Sequence, residues 1–135
     1  MYIPAGIYIF NGNLTVLPGV TLQGSYDSVP SHQFPGETTP MTDGSVLVPT
    51  QGRGVPCDIN CTSAFITVQE NGAVRGLVIY YQEQERVNTP VPYPWSLYLV
   101  ANNAAVEDVE LLGAWNGIAA VQAPRHYIAR VQGQP

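Results

Sequence analysis

The chain has 135 residues, of which 45% are hydrophobic and only 11% are charged. This composition argues against intrinsic disorder, and the length predicts a single domain, residues 1–135, with a hydrophobic core. Five arginines, no lysine and ten acidic residues give a net charge of −5, which would repel nucleic acid and anionic membranes, so we expect neither as a partner.

Short strands are predicted along the chain because 13 glycines and 12 prolines interrupt it and no window carries a helical apolar stripe. Residues 1–4 lack the basic and apolar segments of a signal peptide, so none is expected. Strand-forming runs occur at residues 46–48, 65–68, 97–100 and 117–121. Irregular loops are predicted to project from the strands at about 23–45, 50–62 and 82–94.

A six-residue pattern, apolar at its first, fourth and sixth positions, repeats along the chain. It begins at Leu17, Val74 and Val106, and a weaker copy begins at Ile128. Val106 follows Val74 by 32 residues and Ile128 follows Val106 by 22, and the extra ten fit one loop within 80–95. Units this short and without helices cannot bury an apolar face alone, so we expect them to stack as a solenoid with parallel sheets. An antiparallel sandwich would not explain the 22-residue offset between copies of the pattern.

The same offsets predict which turn residues become neighbours in adjacent repeats. Asn71 and Asn103 share a turn position, so their side chains can hydrogen-bond along the stack. Arg125 takes that position in the next repeat. We therefore expect an asparagine ladder that is only two residues long.

Two segments resemble a known superfamily. Ile3–Tyr8 (IPAGIY), followed by Leu14–Gly24 (LTVLPGVTLQG), resembles the N-terminal coil of pectate-lyase- and polygalacturonase-like proteins. Val74–Ile79 (VRGLVI) resembles a coil that recurs in that superfamily. The resemblance implies an all-β fold, a right-handed single-stranded parallel β-helix of about five coils with long loop insertions. It also implies a polysaccharide as ligand or substrate.

Several features of that superfamily have no counterpart in this sequence. The helical cap before the first strand is missing, the catalytic Asn-x-Asp and Asp-Asp pairs are absent, and no lysine exists to serve as a base. We therefore expect a glycan-interacting module that is not catalytic as this short chain. One alternative is an assembly module that forms a dimer or trimer through uncapped coil ends. The other is an active enzyme resembling a pectate lyase or glycosidase.

The predicted loop around residues 80–95 mixes aromatic, carboxylate and amide side chains. This mixture is typical of a glycan groove, because aromatic faces stack on sugars and polar groups bind hydroxyls. Glu83 and Glu85 could act as an acid–base pair at a suitable separation. Alternatively, the aromatics only cover the flank of the fold. The predicted binding residues here are Tyr80, Tyr81, Gln82, Glu83, Tyr93 and Trp95.

A second group of candidates lies at later turns. Arg125 could hold a sugar carboxylate and His126 could act as a general base, with Trp115 and Tyr127 as further binding residues. The alternative, which we favour, is a group of ordinary solvated or packing turns.

The densest acidic cluster allows two interpretations. Glu107, Asp108 and Glu110 could bind Ca²⁺, which prefers carboxylate oxygens. The repeat offsets instead place Glu107 beside Arg75 and Asp108 beside Arg130, which predicts ordinary cross-strand ion pairs. We favour the ion pairs and expect no cofactor, with Ca²⁺ as the alternative.

Cys57 and Cys61 lie four residues apart in a polar loop. An oxidising compartment would let them form a disulfide, whereas a reducing one would leave free thiols. Two cysteines with no histidine nearby are too few for a zinc site. An extracellular or periplasmic location is favoured by this compartment argument alone.

Overall fold

The computed structural model describes residues 1–26, 44–86 and 89–134. These residues are mostly strand, with a short 3₁₀ helix at Gln82–Arg86, and none of their helices is long and apolar enough to cross a membrane. The predicted loop 23–45 falls largely outside them. The strands, in chain order, are β1 Gly6–Phe10, β2 Leu14–Val16, β3 Thr21–Gln23, β4 Ser45–Pro49, β5 Ala64–Val68, β6 Ala73–Tyr80, β7 Trp95–Leu99, β8 Ala104–Leu112, β9 Asn116–Ala119 and β10 His126–Gln134.

The strands form two parallel sheets, and the chain crosses from one sheet to the other along most of its length. The larger sheet has six strands in the order β1-β4-β6-β8-β10, with β3 also paired to β6. The smaller sheet has four strands in the order β2-β5-β7-β9. Because parallel neighbours need a crossover rather than a hairpin, each return to a sheet passes through the other sheet or through a loop.

The core lies between the two sheets. In the larger sheet Leu22, Val74 and Val106 are neighbours on successive strands, and all three are fully buried. In the smaller sheet Ile66 and Leu97 are paired and equally buried. Side chains from both sheets belong to one hydrophobic cluster, whose burial supplies the main force that holds the sheets together.

Part of the outer face of the larger sheet is buried as well. Val46 and Val78 are paired across β4 and β6, and both are fully buried in a second cluster that Tyr80 packs against. Runs of consecutive apolar residues are typical of parallel strands covered on both faces. This explains why β4 is almost uninterruptedly apolar in sequence.

The predicted right-handed single-stranded β-helix of about five coils was wrong. The structure shows two parallel sheets, of six and four strands, that are not closed into a solenoid. The repeat offsets misled because they define only the register between neighbouring parallel strands, and any parallel sheet with long crossovers has such offsets. The residues paired across neighbouring strands β3, β6, β8 and β10 are Leu22, Val74, Val106 and Ile128. The number of residues from one partner to the next decreases along the chain, so the chain has no constant coil length.

The neighbours predicted from the offsets are confirmed. Asn103 Nδ2 donates to Asn71 Oδ1 at 3.1 Å, so the two-residue ladder exists. Strands β6 and β8 place Arg75 opposite Glu107, and Arg75 Nη2 lies 2.9 Å from the Glu107 carboxylate. The sequence pattern was therefore sufficient for the local register.

A left-handed residue interrupts three adjacent strands of the larger sheet at the same level. Gly76 in β6, Asp108 in β8 and Arg130 in β10 have φ angles of 66°, 52° and 50°. Glycine adopts this conformation without a steric penalty, whereas any other residue that adopts it is strained. At Gly76 the break divides β6, so that residues before it pair with β3 and residues after it pair with β4.

The substitution Gly76→Ala should destabilise the protein strongly. An added methyl would collide with the carbonyl oxygen of Tyr26 and lie 2.9 Å from Gln23 Nε2. Left-handed strain and this crowding together should lower the free energy of unfolding by about 2–4 kcal/mol in urea titrations. The matched variant Gly12→Ala adds a methyl with nothing within 4 Å, so its stability should stay close to wild type. Equal losses in the two variants would contradict the proposed backbone constraint.

Candidate functional site

A cleft of about 270 Å³ opens at the carboxyl ends of β4 and β6. Since these neighbouring strands are parallel, the residues that follow them emerge at the same edge of the larger sheet. The cleft has an apolar wall from β4 and polar groups from two loops. Its lining residues are Val48, Pro49, Thr50, Arg53, Gln82, Glu83 and Tyr93.

Glu83 is the polar centre of the cleft. Its Oε1 accepts a hydrogen bond from the Tyr93 hydroxyl, and its Oε2 accepts one from Arg53 Nε. The side chains of Arg53 and Glu83 remain 60% and 31% exposed, so a ligand can reach the ion pair from solvent. Each carboxylate oxygen has a second lone pair and can accept another hydrogen bond.

The 3₁₀ helix holds Glu83 in place because the next residue is clamped on two sides. Gln84 Nε2 donates to the Val91 carbonyl, and Gln84 Oε1 accepts from the Val91 N–H at 2.9 Å. On the other side, an added Cβ at Gly113 would lie 2.9 Å from the Gln84 Cβ. Gln84 therefore ties the helix both to the segment that carries Tyr93 and to the end of β8.

Tyr93 approaches Glu83 from the hydrophobic core. Its ring centroid lies 4.7 Å from that of Tyr81, whose hydroxyl is hydrogen-bonded to the Ser96 hydroxyl at 2.9 Å. Burial raises the pKa of Tyr81 to about 12, and burial together with the bond to Glu83 also raises the pKa of Tyr93. Both phenols stay protonated at neutral pH, so Tyr93 is a permanent donor to Glu83.

Arg53 enters the cleft from a turn that the sequence patterns did not single out. It lies between Gly52 and Gly54, whose φ angles are 78° and 77°. The Gly54 N–H donates to the Pro92 carbonyl at 2.8 Å, and Gly52 packs closely on the ring of Pro94. A charged residue between two glycines is the signal that could have identified this turn, because glycine supplies the left-handed conformations that tight turns require.

A disulfide between Cys57 and Cys61 closes the second half of the same loop. Trp95 Nε1 donates to the Cys61 carbonyl at 3.0 Å, and Asn116 Nδ2 donates to the Cys57 carbonyl at 2.9 Å. Trp95 and Asn116 are paired residues of β7 and β9. The loop that delivers Arg53 is thus fastened to the smaller sheet, while its tip contacts Glu83 in the 3₁₀ helix.

The aromatic residues predicted to bind sugars differ in exposure. Tyr81 and Tyr93 are only 2% and 3% exposed, so neither presents a ring face to a ligand. Tyr80 packs against the outer face of the larger sheet, and Trp95 packs against a cluster on the outer face of the smaller one. The loop that follows β6 therefore contributes hydrogen-bonding atoms to the cleft rather than stacking surfaces.

The candidates at the later turns are not brought to the cleft. Arg125, His126 and Tyr127 lie where β10 begins, whereas the cleft lies where β4 and β6 end. His126 Nδ1 is 2.6 Å from the Ala123 carbonyl oxygen, a contact within its own turn. Trp115 is exposed just before β9 and does not line the cleft.

The predicted acidic cluster is occupied by ion pairs. Glu107 contacts Arg75 and Arg130 at 2.9 and 3.1 Å, and Asp108 contacts Arg130 at 2.6 Å. The hydrogen bond from Arg130, assisted by its charge, holds the pKa of Asp108 below its usual range. Glu110 is fully buried in β8. Within the described ranges no group of three or more potential metal ligands occurs, so the Ca²⁺ alternative has no support there.

The electrostatics of Glu83 suit binding rather than proton transfer. Burial disfavours its charged form, but the hydrogen bonds from Tyr93 and Arg53 and the charge of Arg53 outweigh burial and hold the pKa of Glu83 below its usual range. A general acid at neutral pH needs a raised pKa instead. The side chain of Glu85, its predicted partner, lies outside the described part of the chain, so that acid–base pair stays a prediction.

The variant Glu83→Gln should lose stability at neutral pH but not in acid. Folding lowers the pKa of Glu83 beneath its ordinary value of 4.5, so the carboxylate stabilises the folded state above that pH. The contribution disappears as the pH falls through the folded-state pKa. Urea unfolding at pH 7 should therefore show a less stable variant, and the difference from wild type should shrink steadily as the pH is lowered below 4.5.

Glu70→Gln is the matched control for this pH experiment, because it removes an exposed carboxylate elsewhere on the surface. It should change stability little at any pH. A stability loss in Glu83→Gln that is the same at every pH would show that the charge of Glu83 does not stabilise the cleft.

Comparison with known proteins returned no match, whether to protein-family models, to curated proteins or to solved structures. The resemblance to pectate-lyase-like proteins therefore stays a prediction from the motifs. The function of the chain has to be inferred from its own residues.

Proposed function

We propose that this protein binds a glycan in the cleft without cleaving it. The observation that carries the proposal is the solvent-reachable ion pair of Arg53 and Glu83 beside the apolar wall of Val48 and Pro49. A concave site with an apolar wall and a few convergent polar groups is the usual form of a small-molecule site. The motifs that resemble pectate-lyase-like proteins are a second and weaker support.

The ion pair offers both hydrogen-bonding roles that a sugar needs. The Glu83 oxygens accept bonds from hydroxyl groups, and the Arg53 guanidinium donates bonds to hydroxyl oxygens. Two neighbouring hydroxyls of one sugar ring can therefore bridge the pair. Gln82 adds an amide that both donates and accepts, while the C–H face of the ring would pack on Val48 and Pro49.

The same geometry argues against glycoside hydrolysis in the cleft. That reaction uses two carboxyl groups roughly 5–10 Å apart, one of them protonated. Among the described residues that line the cleft, Glu83 is the single carboxylate, and its bonds favour the ionised form. Binding without cleavage is the role that these residues support.

The proposal is tested by screening the protein against a glycan array and titrating the best ligands by calorimetry. We expect Arg53→Ala to weaken binding at least about tenfold, because a charged hydrogen bond contributes roughly 1.5–3 kcal/mol. Arg125→Ala is the matched control, since it removes an exposed arginine outside the cleft. It should bind like wild type. Absence of binding to every glycan, or equal losses in the two variants, would contradict the proposal.

Self-assembly is a second candidate function, favoured by apolar residues on the sheet edges. The larger sheet ends in β1 and β10. Ile7 and Ile9 on β1 are 51% and 72% exposed, and Tyr127 and Ile128 on β10 are 55% and 40% exposed. Unpaired edges are templates for further strands, so β10 of one copy could pair in parallel with β1 of another. A dimer or trimer results if this head-to-tail contact closes into a ring.

Light scattering after size exclusion tests this assembly. We expect wild type to elute as a dimer or trimer and Ile9→Lys to be shifted to monomer, because a lysine on an edge strand opposes pairing. Val55→Lys is the control, since Val55 is also exposed, at 56%, but lies in the loop rather than on an edge. A wild-type protein that stays monomeric at high concentration would rule out this function.

A further inference from the structure

We propose that the cleft selects one neutral sugar unit over the corresponding uronic acid. The inference rests on the proposed glycan-binding function and names its ligand class. It follows from the pairing of Arg53 with Glu83, from the size of the cleft and from the apolar wall beside the pair.

The charges that line the cleft balance each other. Among the described residues that line the cleft, Arg53 is the one cation and Glu83 is the one anion. A sugar carboxylate placed beside the pair would meet attraction and repulsion of similar size, because Coulomb energies depend on distance and the two charges are adjacent. The net charge of −5 on the whole chain adds a weak repulsion. The cleft therefore offers a uronate no net electrostatic gain.

The hydrogen bonds of Glu83 leave room for donors from a ligand. Tyr93 and Arg53 already donate to the two oxygens of Glu83, and each oxygen can accept one more bond. A ligand that completes this site must supply donors, and hydroxyl groups do so. Where the C6 group of the ring meets Glu83, a neutral hydroxyl supplies a donor, whereas an ionised carboxylate has none and would leave a lone pair of Glu83 unpaired, which is costly.

The cleft is small and partly apolar. A volume of about 270 Å³ lies near the lower end for small-molecule sites, which suits a single sugar ring rather than several. Val48 and Pro49 line the same space and cannot solvate a charge. A neutral ring can place a C–H face on this wall and its hydroxyls on the ion pair.

The test uses two pairs of ligands that differ only at C6: methyl glucoside with methyl glucuronide, and methyl galactoside with methyl galacturonide. Affinities are measured by calorimetry or by titration of NMR signals from the cleft residues. In at least one pair the neutral sugar should bind wild type at least about tenfold more tightly than its uronate, since that is the scale of a hydrogen bond lost to a charged group. A uronate that binds as well or better in both pairs would overturn the inference.

Charge variants separate the local effect from the global one. Glu83→Gln leaves Arg53 uncompensated. The ratio of the affinity for the neutral sugar to the affinity for the uronate should therefore fall to about one or below. Glu70→Gln changes the net charge of the chain equally but lies outside the cleft, so it should keep the preference. Arg53→Gln, measured in parallel, should bind the uronates even more weakly relative to the neutral sugars than wild type does. Equal shifts in the two glutamate variants would overturn the inference.

Failure of the proposed function has a different signature. If no member of either pair perturbs the signals of the cleft residues, the cleft is not a sugar site and both proposals fall. If sugars bind but the uronates win, glycan binding stands and only the neutral preference is overturned.

Discussion

The break in β6 at Gly76 is the constraint on which the rest of the structure depends. Strand β6 pairs with β3 before this residue, with β4 after it, and with β8 along its other edge. A left-handed residue turns the strand locally, so two short strands can share one edge. Because β4 and β6 are held side by side in this way, their carboxyl ends meet, and the cleft opens there. The sheet architecture and the candidate site therefore both depend on the left-handed backbone conformation at Gly76.

The cleft brings two opposite charges together from separate loops. One loop presents Arg53 from a tight turn and is fastened by a disulfide, while the other presents Glu83 from a 3₁₀ helix clamped by Gln84. Either charge alone would lie uncompensated beside an apolar wall, which is unfavourable. Together they neutralise each other while staying partly solvated. The free-energy cost of placing the pair beside the apolar wall is therefore small, and the pair remains available to a ligand.

Sequence reasoning named several residues of the cleft but not their arrangement. Gln82, Glu83 and Tyr93 were predicted as binding residues from the composition of one loop, and all three line the cleft. The predicted stacking role does not fit the burial of Tyr81 and Tyr93, because large rings stabilise a fold most when they are packed in its core. Arg53 was missed because it lies 30 residues from Glu83, and no local pattern connects the two.

Local patterns were enough to indicate short strands and the register between them. The pairs of Asn71 with Asn103 and of Arg75 with Glu107 follow from repeat offsets, since register depends on matching apolar positions along neighbouring strands. The arrangement of the strands as two parallel sheets, rather than one β-helix, was decided only in three dimensions. So was the meeting of Arg53 with Glu83. Both depend on how crossovers of unequal length pack over a shared core, and a pattern of neighbouring residues carries no information about such long-range packing.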